Sequence, residues 1–215
     1  MAILEKRAFN FEVKAEENEN GEKIIAGRPI VYNSRTDLGY FDEIIDPGAL
    51  DGADLTDVRY LINHNTKMIP LARSRRNNGN STMKLTPDAN GLNIDFVKLD
   101  VENNTDARAL YSAVQRGDIT GMSFMFFVDG ENWEDLESEH PTRHITKIGS
   151  VMEVSAVTFP AYESTEIYAR SEAAALDNAK TVLDKARAEK RAASLDNDEL
   201  TLLKEKTKFL GGLKK

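Results

Sequence analysis

Cysteine is absent from the 215 residues of this chain. Its absence excludes a disulfide framework, a thiol nucleophile and cysteine-ligated zinc, and it is typical of a reducing, intracellular setting. Histidine is scarce as well, because only His64, His140 and His144 are present. A mechanism that depends on histidine therefore has few candidates.

Long apolar runs and an excess of positive charge are also missing. No segment approaches the roughly 18 to 20 apolar residues of a membrane span, and the start MAILEKRAFNFEV lacks the apolar core of a secretion signal. The 28 Lys and Arg residues against 36 Asp and Glu residues give a net charge of -8. This balance disfavours a nucleic-acid partner, since the phosphate backbone needs a basic face. We expect a soluble protein that binds neither membrane nor nucleic acid.

Proline and glycine divide the chain into two regions. All six prolines lie within residues 1–160, and residues 150–210 contain no glycine. The C-terminal region is rich in Ala, Leu, Lys and Glu, which favour helix. We therefore predict a compact domain over 1–168 and a charged helical tail over 169–215. The tail is either a solvated extension or a docking arm for a partner, and an N-cap in SLDNDEL (194–200) would split it into two helices.

Strand patterns dominate the compact region. Alternating apolar residues and turn sequences predict hairpins over 9–33 and 83–96, a strand closed by the turn Asp-Pro-Gly at 46–48, and a strand over 58–64 that ends at His64. Later strands lie on either side of a polar excursion at 129–144. We predict a mainly β, α+β fold built on a mostly antiparallel sheet or barrel.

One helix stands out among these strands. The segment NTDARALYSAVQRGD has Asn104 or Thr105 as its N-cap, an apolar stripe that includes Leu110 and Val114, and Gly117 as its C-terminal stop. The fold should therefore contain one or two packed helices besides the tail.

Three polar residues interrupt apolar strands. Ser123 lies in GMSFMFFV, His64 follows an apolar-faced strand, and Glu153 lies in GSVMEVSAV. Each has an ordinary structural interpretation: a buried serine that bonds a carbonyl, a structural or surface histidine, and a carboxylate paired with an arginine of LARSRR (71–76). Together they are the residue types of nucleophilic hydrolysis, in which an imidazole activates a hydroxyl and an acceptor orients the imidazole.

Pattern alone leaves this hydrolase hypothesis open. GMSF is not the G-x-S-x-G elbow, and the alternating strands and helices of that fold are missing. A metal-dependent hydrolase that uses His64 with Asp42 and Glu43 is a competing interpretation, although the chain has no H-E-x-x-H motif.

Four segments in order resemble a known family. GRPIVYNSRTDLGYFDEIIDPGAL, DVRYLINHN, ARALYSAVQRGDITGMSFMFFV and EVSAVTFPAYEST are similar to segments of the prohead maturation serine proteases of tailed bacteriophages, over about 27–165. The resemblance implies an antiparallel β-barrel similar to the herpesvirus assemblin protease.

The resemblance also implies roles for individual residues. His64 would be the general base, Ser123 the nucleophile and Glu153 the third member of the triad. The herpesvirus relatives use a second histidine as third member, which makes His144 a rival. Backbone N–H groups at 149–151 or near Gly121 could supply the oxyanion hole. No cofactor or metal is implied.

A serine endopeptidase of this kind would act inside the assembling procapsid in the host cytoplasm. It would remove the scaffolding segment of the major capsid protein, or a separate scaffold protein, and would cleave itself. The helical tail would then be a capsid-interaction or self-cleaved segment, and self-association is possible. The alternative is a non-catalytic scaffold or capsid-assembly protein that acts through its tail.

Overall fold

The computed structural model describes residues 4–9, 13–158, 177–194 and 204. In chain order the elements are β1 (Leu4–Phe9), β2 (Val13–Glu17), β3 (Lys23–Val31), β4 (Thr36–Asp37), β5 (Asp42–Ile45), β6 (Arg59–Ile62), β7 (Ala72–Arg73), a 3-10 turn (Arg75–Asn77), β8 (Met83–Asp88), β9 (Gly91–Lys98), α1 (Thr105–Arg116), β10 (Gly121–Glu134), β11 (Thr142–Val157) and α2 (residues 177–194). The mainly β, α+β class is confirmed. No helix among these residues is long and apolar enough to span a membrane.

The strands form two sheets. The larger has the order β1-β10-β11-β5-β4, with β6 paired to β11 and β7 paired to β6, and the smaller has the order β2-β3-β9-β8. Because β11 pairs in parallel with both β5 and β6, the larger sheet is mixed. Both sheets are open in the part of the chain described, so the predicted barrel is not confirmed. Apolar alternation reports which face of a strand is buried, and it carries no information about whether the last strand returns to the first.

Several local predictions are confirmed. The hairpins β2–β3 and β8–β9 form as expected, although β1 and β2 are separate strands in different sheets. Helix α1 is capped by the Asn104 side chain, which accepts hydrogen bonds from Asp106 N and Ala107 N, and Gly117 ends the helix with φ 78°. These features follow from local chemistry, since caps and turns need few distant contacts.

The polar stretch 129–144 was predicted to leave the sheet, and that prediction is wrong. Strand β10 continues to Glu134 and β11 begins at Thr142, so the two strands form one long antiparallel hairpin with several bulges. Polar residues are tolerated there because the outer half of the hairpin has exposed positions.

A single apolar core fills the space between the two sheets and α1. Ile25, Ile94, Phe124 and Val154 are all buried there, and the inner face of α1 adds Leu110. The core therefore holds β10 and β11 rigidly over the length that carries Ser123 and Glu153.

Helix α2 packs on the domain and is not a solvated extension. It contributes Ala179, Val182, Leu183 and Ala186 to a second apolar cluster that includes Phe41 and Leu136. The guanidinium of Arg187 donates hydrogen bonds to two carbonyls of the β10–β11 loop, those of Leu136 and Ser138. The predicted domain boundary near residue 168 and residues 195–200 of the proposed helix break lie outside the described residues.

A buried ion network joins β1 to the sheet. The Arg7 guanidinium donates to both carboxylate oxygens of Glu43, at 2.5 and 2.6 Å, and to Glu5. Arg143 donates to Glu5 and Glu43 and also pairs with Glu131. Burial raises the pKa of the Glu43 carboxyl, but the two guanidinium charges outweigh it and hold this pKa below its usual value.

Gly91 allows a test of how closely β3 and β9 approach each other in the smaller sheet. It has φ 137°, and a Cβ atom there would lie 2.0 Å from the carbonyl oxygen of Ile30. We expect Gly91→Ala to lower the free energy of unfolding by more than about 2 kcal/mol in urea denaturation. The control Gly79→Ala, where a Cβ would meet nothing within 4 Å, should change it by less than about 0.5 kcal/mol. Equal losses of unfolding free energy in the two variants would contradict the close contact between Gly91 and the Ile30 carbonyl.

Candidate active site

His64 lies in a turn immediately after β6. Asn63 and His64 both have left-handed backbones, with φ 50° and 55°, a conformation that costs energy for non-glycine residues and often marks functional sites. The turn is held against the residue that follows β11, because the Asn63 side chain donates to Thr158 Oγ1 and accepts from the Thr158 backbone N–H. His64 therefore lies beyond the strand that was predicted to end at it, since β6 ends at Ile62. The turn folds it back, and its backbone N–H donates to Ser155 Oγ at 3.0 Å.

Glu153 is the partner of the His64 ring. His64 Nδ1 lies 2.5 Å from Glu153 Oε1, and the other carboxylate oxygen accepts a hydrogen bond of 2.5 Å from Ser155 Oγ. Glu153 is 3% exposed, so these contacts replace the water that a free carboxylate would bind. The alternative pairing with an arginine of the segment 71–76 is wrong, since the Arg73 guanidinium pairs with Asp57 instead.

Ser123 projects from the same face of the sheet as this pair. It lies directly opposite Ser155 in the β10–β11 ladder, and opposite residues share a face with Cβ atoms about 5 Å apart. Its own hydroxyl is fully buried and donates a hydrogen bond of 2.6 Å to the carbonyl oxygen of Arg7 on β1. His64 Nε2 is also buried and has no hydrogen-bond partner among the described residues.

This arrangement leaves one nitrogen available for proton transfer. Because Nδ1 of His64 faces a carboxylate, it carries the proton, and Nε2 then presents a lone pair. A hydroxyl that rotates away from Arg7 O towards Nε2 would find an acceptor that is already oriented by Glu153. The structure therefore places His64 in direct contact with Glu153 and puts Ser123 on the same face of the sheet, opposite Ser155.

Two further ionisable residues lie close to Glu153. Burial lowers the pKa of the Lys6 ammonium on β1, and the Glu153 carboxylate opposes this effect. Burial also raises the pKa of the Tyr60 hydroxyl, and the nearby Glu153 charge raises it further. Burial is the larger cause of both pKa shifts, so the surroundings of Lys6 and Tyr60 hold little water.

The other two histidines lie elsewhere. His144 is on β11 nine residues before Glu153, which is about 30 Å along a strand, and its Nδ1 contacts Asp46 at 2.8 Å. His140 contacts Asp42, and with Asp37 these residues place ligand atoms within 4.8 Å of one another.

This exposed group does not match the metal site that was considered from sequence. Asp42 is already paired with Arg35, Glu43 is bound by two arginines, and His64 contacts Glu153. His64, Asp42 and Glu43 are thus engaged in three separate interactions.

The backbone N–H groups considered for the oxyanion hole lie at 149–151 and near Gly121. Ser150 is opposite Phe127, four residues along β10 from Ser123, and the backbone N–H of Val151 already donates to Asp54 O. Gly121, two residues before Ser123, lies in the ladder opposite Val157. Residues 149–151 are therefore poorly placed for an oxyanion hole, and no donor is assigned.

Sequence reasoning missed three contributors to the site. Ser155 is two residues from Glu153 on the same strand, and this spacing, which puts both side chains on one face, was the available signal. Asn63 precedes His64 in DVRYLINHN, but nothing in the sequence marks it as the residue that holds the turn. The contact from β1 to Ser123 had no signal, because pairing between distant strands is not encoded locally.

Comparison with known proteins identifies a family for this chain. A family model described as caudovirus prohead serine protease matches residues 9–180. This range covers most of the chain, and the chain belongs to that family of bacteriophage serine peptidases. Its members act in capsid maturation within the procapsid, on capsid components. The search of curated proteins and the search of solved structures each returned no match.

The pairing of His64 with Glu153 should contribute to the free energy of unfolding. His64→Ala leaves a buried carboxylate without its main partner, so we expect the free energy of unfolding to fall by roughly 2 to 4 kcal/mol. The matched change His144→Ala removes a partly exposed ring and should cost less than about 1 kcal/mol. Urea denaturation followed by circular dichroism measures both. A His64→Ala protein as stable as the wild type would contradict the pairing.

Proposed function

We propose that the chain is a serine endopeptidase in which Ser123 is the nucleophile, His64 the general base and Glu153 the third member of the triad. The observation that carries the proposal is the oriented His64 ring, which is held by Glu153 through Nδ1 and whose buried Nε2 has no partner among the described residues. His144 shows the same pattern, with Nδ1 on Asp46 and a buried Nε2 that makes no hydrogen bond among the described residues, so His64 is distinguished by its partner Glu153, which shares a sheet face with Ser123.

The proposed reaction is acyl transfer through an ester on Ser123. His64 Nε2 accepts the hydroxyl proton as Ser123 Oγ adds to the scissile carbonyl carbon, and the resulting imidazolium is stabilised by the Glu153 carboxylate. His64 then donates this proton to the leaving amine. Water, deprotonated by the same ring, hydrolyses the acyl-enzyme and regenerates the hydroxyl.

Glu153 is favoured over His144 as third member on two grounds. It contacts His64 directly and is held by Ser155, so its orientation is fixed. His144 is engaged with Asp46 far along the same strand. A third member acts by orienting the base and neutralising its charge, which requires direct contact.

The proposed substrate is the scaffolding segment of the major capsid protein, or a separate scaffold protein, together with the protease itself. Family membership supports this choice. Action inside the assembling procapsid, in the host cytoplasm, would bring enzyme and substrate to high local concentration without further binding determinants.

Replacement of Ser123 tests its role as the nucleophile. Ser123→Ala should abolish cleavage of the co-expressed capsid precursor, because no other group replaces the attacking oxygen. The variant should retain its circular dichroism spectrum and melting temperature within a few degrees. Gel electrophoresis and mass spectrometry of the capsid protein measure cleavage, with Ser112→Ala on α1 as the matched serine control. Full cleavage by the Ser123→Ala protein would refute the proposal.

Replacement of Glu153 and of His144 tests which of them is the third member of the triad. Glu153→Gln keeps the shape of the side chain and removes its charge, so kcat should fall by about 10³-fold or more. His144→Ala should leave kcat within about twofold of the wild type, since a ring that contacts neither base nor nucleophile stabilises no transition-state charge. Initial rates on a scaffold-derived peptide measure both. The reverse pattern would assign the role to His144.

A further inference from the structure

Strand β1 occupies the edge of β10 that carries Ser123. It pairs antiparallel with β10 from Leu4 to Phe9, and its Arg7 carbonyl accepts the hydrogen bond of the Ser123 hydroxyl. The chain at this point is extended and antiparallel to the strand of the nucleophile, which is a geometry in which peptides add to a sheet edge. The occupied edge has the form of a peptide-binding site.

The two central side chains of β1, Lys6 and Arg7, have different surroundings. Lys6 lies opposite Met125, whose other neighbour in the sheet is Glu153. Arg7, the residue whose carbonyl contacts Ser123, is 3% exposed, and its guanidinium forms a bidentate pair with Glu43 besides its bond to Glu5. Such a pair recognises arginine by shape as well as by charge. Glu43 is thus positioned to select the residue at the nucleophile.

The ion network can release β1 without a net change of charge. To this network strand β1 contributes one anion, Glu5, and one cation, Arg7, while its second cation, Lys6, lies outside the network. After its departure Arg143 keeps both Glu43 and Glu131 as partners. Another peptide with the same charges could therefore take the place of β1 at little electrostatic cost.

The chain contains a second copy of the β1 sequence. Glu-Lys-Arg-Ala occurs at residues 5–8 in β1 and again at residues 189–192 in α2. All four residues of the second copy are exposed, and they lie in the last part of the described helix. Their contacts are weak surface ones, such as Lys190 with Glu137 at 3.4 Å. Exposed helical residues with so few tertiary contacts unwind readily, as binding in extended form requires.

The two copies also lie near each other. Glu5 and Glu189 line the same cleft between β10 and α2, and the Asn178 side chain of α2 contacts the Leu4 carbonyl at 3.4 Å. The second copy is therefore presented next to the edge that the first copy occupies.

We propose that the edge of β10 is the substrate-binding site of the protease, occupied in this structure by β1, that Glu43 selects arginine there, and that the tail is cleaved between Arg191 and Ala192. The inference rests on the proposed function of Ser123. It adds the class of substrate, an extended segment with arginine at the residue whose carbonyl faces Ser123, and it assigns the self-cleavage site.

The cleavage balances as an ordinary peptide hydrolysis. Ser123 Oγ forms a bond to the Arg191 carbonyl carbon while its proton passes to His64. The bond from that carbon to the Ala192 nitrogen breaks, and the nitrogen receives the proton. Water then hydrolyses the ester, leaving a carboxylate on Arg191 and a new N-terminus at Ala192.

Intact mass spectrometry of the purified full-length protein tests the assigned bond. We expect a Ser123-dependent fragment that ends at Arg191 in the wild type and no fragment from Ser123→Ala. Arg191→Ala should slow this cleavage by roughly 30-fold or more, because Glu43 loses its partner. The control Lys180→Ala removes an exposed cation of the same helix outside the tetrapeptide and should be cleaved at the wild-type rate.

Labelling of Ser123 by a fluorophosphonate separates failure of the inference from failure of the function. If Ser123 is labelled but the tail is cut elsewhere, or if Arg191→Ala is cut as fast as the wild type, the assigned site is refuted and the serine protease stands. If Ser123 is neither labelled nor required for cleavage, both are refuted.

A disulfide lock tests whether β1 occupies the substrate site. Leu4 and Phe127 are opposite in the β1–β10 ladder, where Cα atoms lie about 4.5 to 5.5 Å apart, within reach of a disulfide. The chain has no other cysteine. Oxidising the Leu4→Cys/Phe127→Cys protein should slow cleavage at Arg191 by about tenfold or more, and reduction should restore it. Equal rates in the two states would overturn the proposal.

Discussion

The carboxylate of Glu153 cannot remain buried unless other groups replace the water it has lost. That requirement is met from two directions. Ser155, two residues along the same strand, holds one oxygen, and His64, brought back by a turn after the neighbouring strand, holds the other. The strained backbone at Asn63 and His64 is tolerated because this contact and the bonds to Thr158 hold the turn in place. The position of His64 is thus a consequence of one buried carboxylate.

Strand β1 lies between the Glu153 carboxylate and a second buried carboxylate, that of Glu43. Lys6 is directed towards Glu153, while Arg7 enters the pocket of Glu43 and Arg143. Between these two contacts the β1 backbone accepts the hydrogen bond of the Ser123 hydroxyl. A strand held at an edge by ion pairs can exchange with another strand of the same charge pattern, since the ladder hydrogen bonds are the same for any sequence. The site therefore has the properties expected of a protease that recognises extended peptides.

Local features were predictable from the sequence, and their assembly was not. The cap at Asn104, the stop at Gly117 and two hairpins follow from short-range chemistry. The polar stretch 129–144 was misjudged because exposed strands can be as polar as loops. The packing of α2 was also missed, since its apolar residues are few and their partners, such as Phe41, lie far away in the sequence.

By itself, the sequence determined which residue types were available and which of them were out of place. With no cysteine and three histidines, a polar residue in each of two apolar strands had few possible partners. Only the tertiary structure decided that His64 meets Glu153 and not an arginine, that His144 is remote, and that β1 lies against Ser123. These contacts join residues 89, 98 and 116 positions apart, and such pairings depend on strand order and register, which periodicity within one strand does not encode.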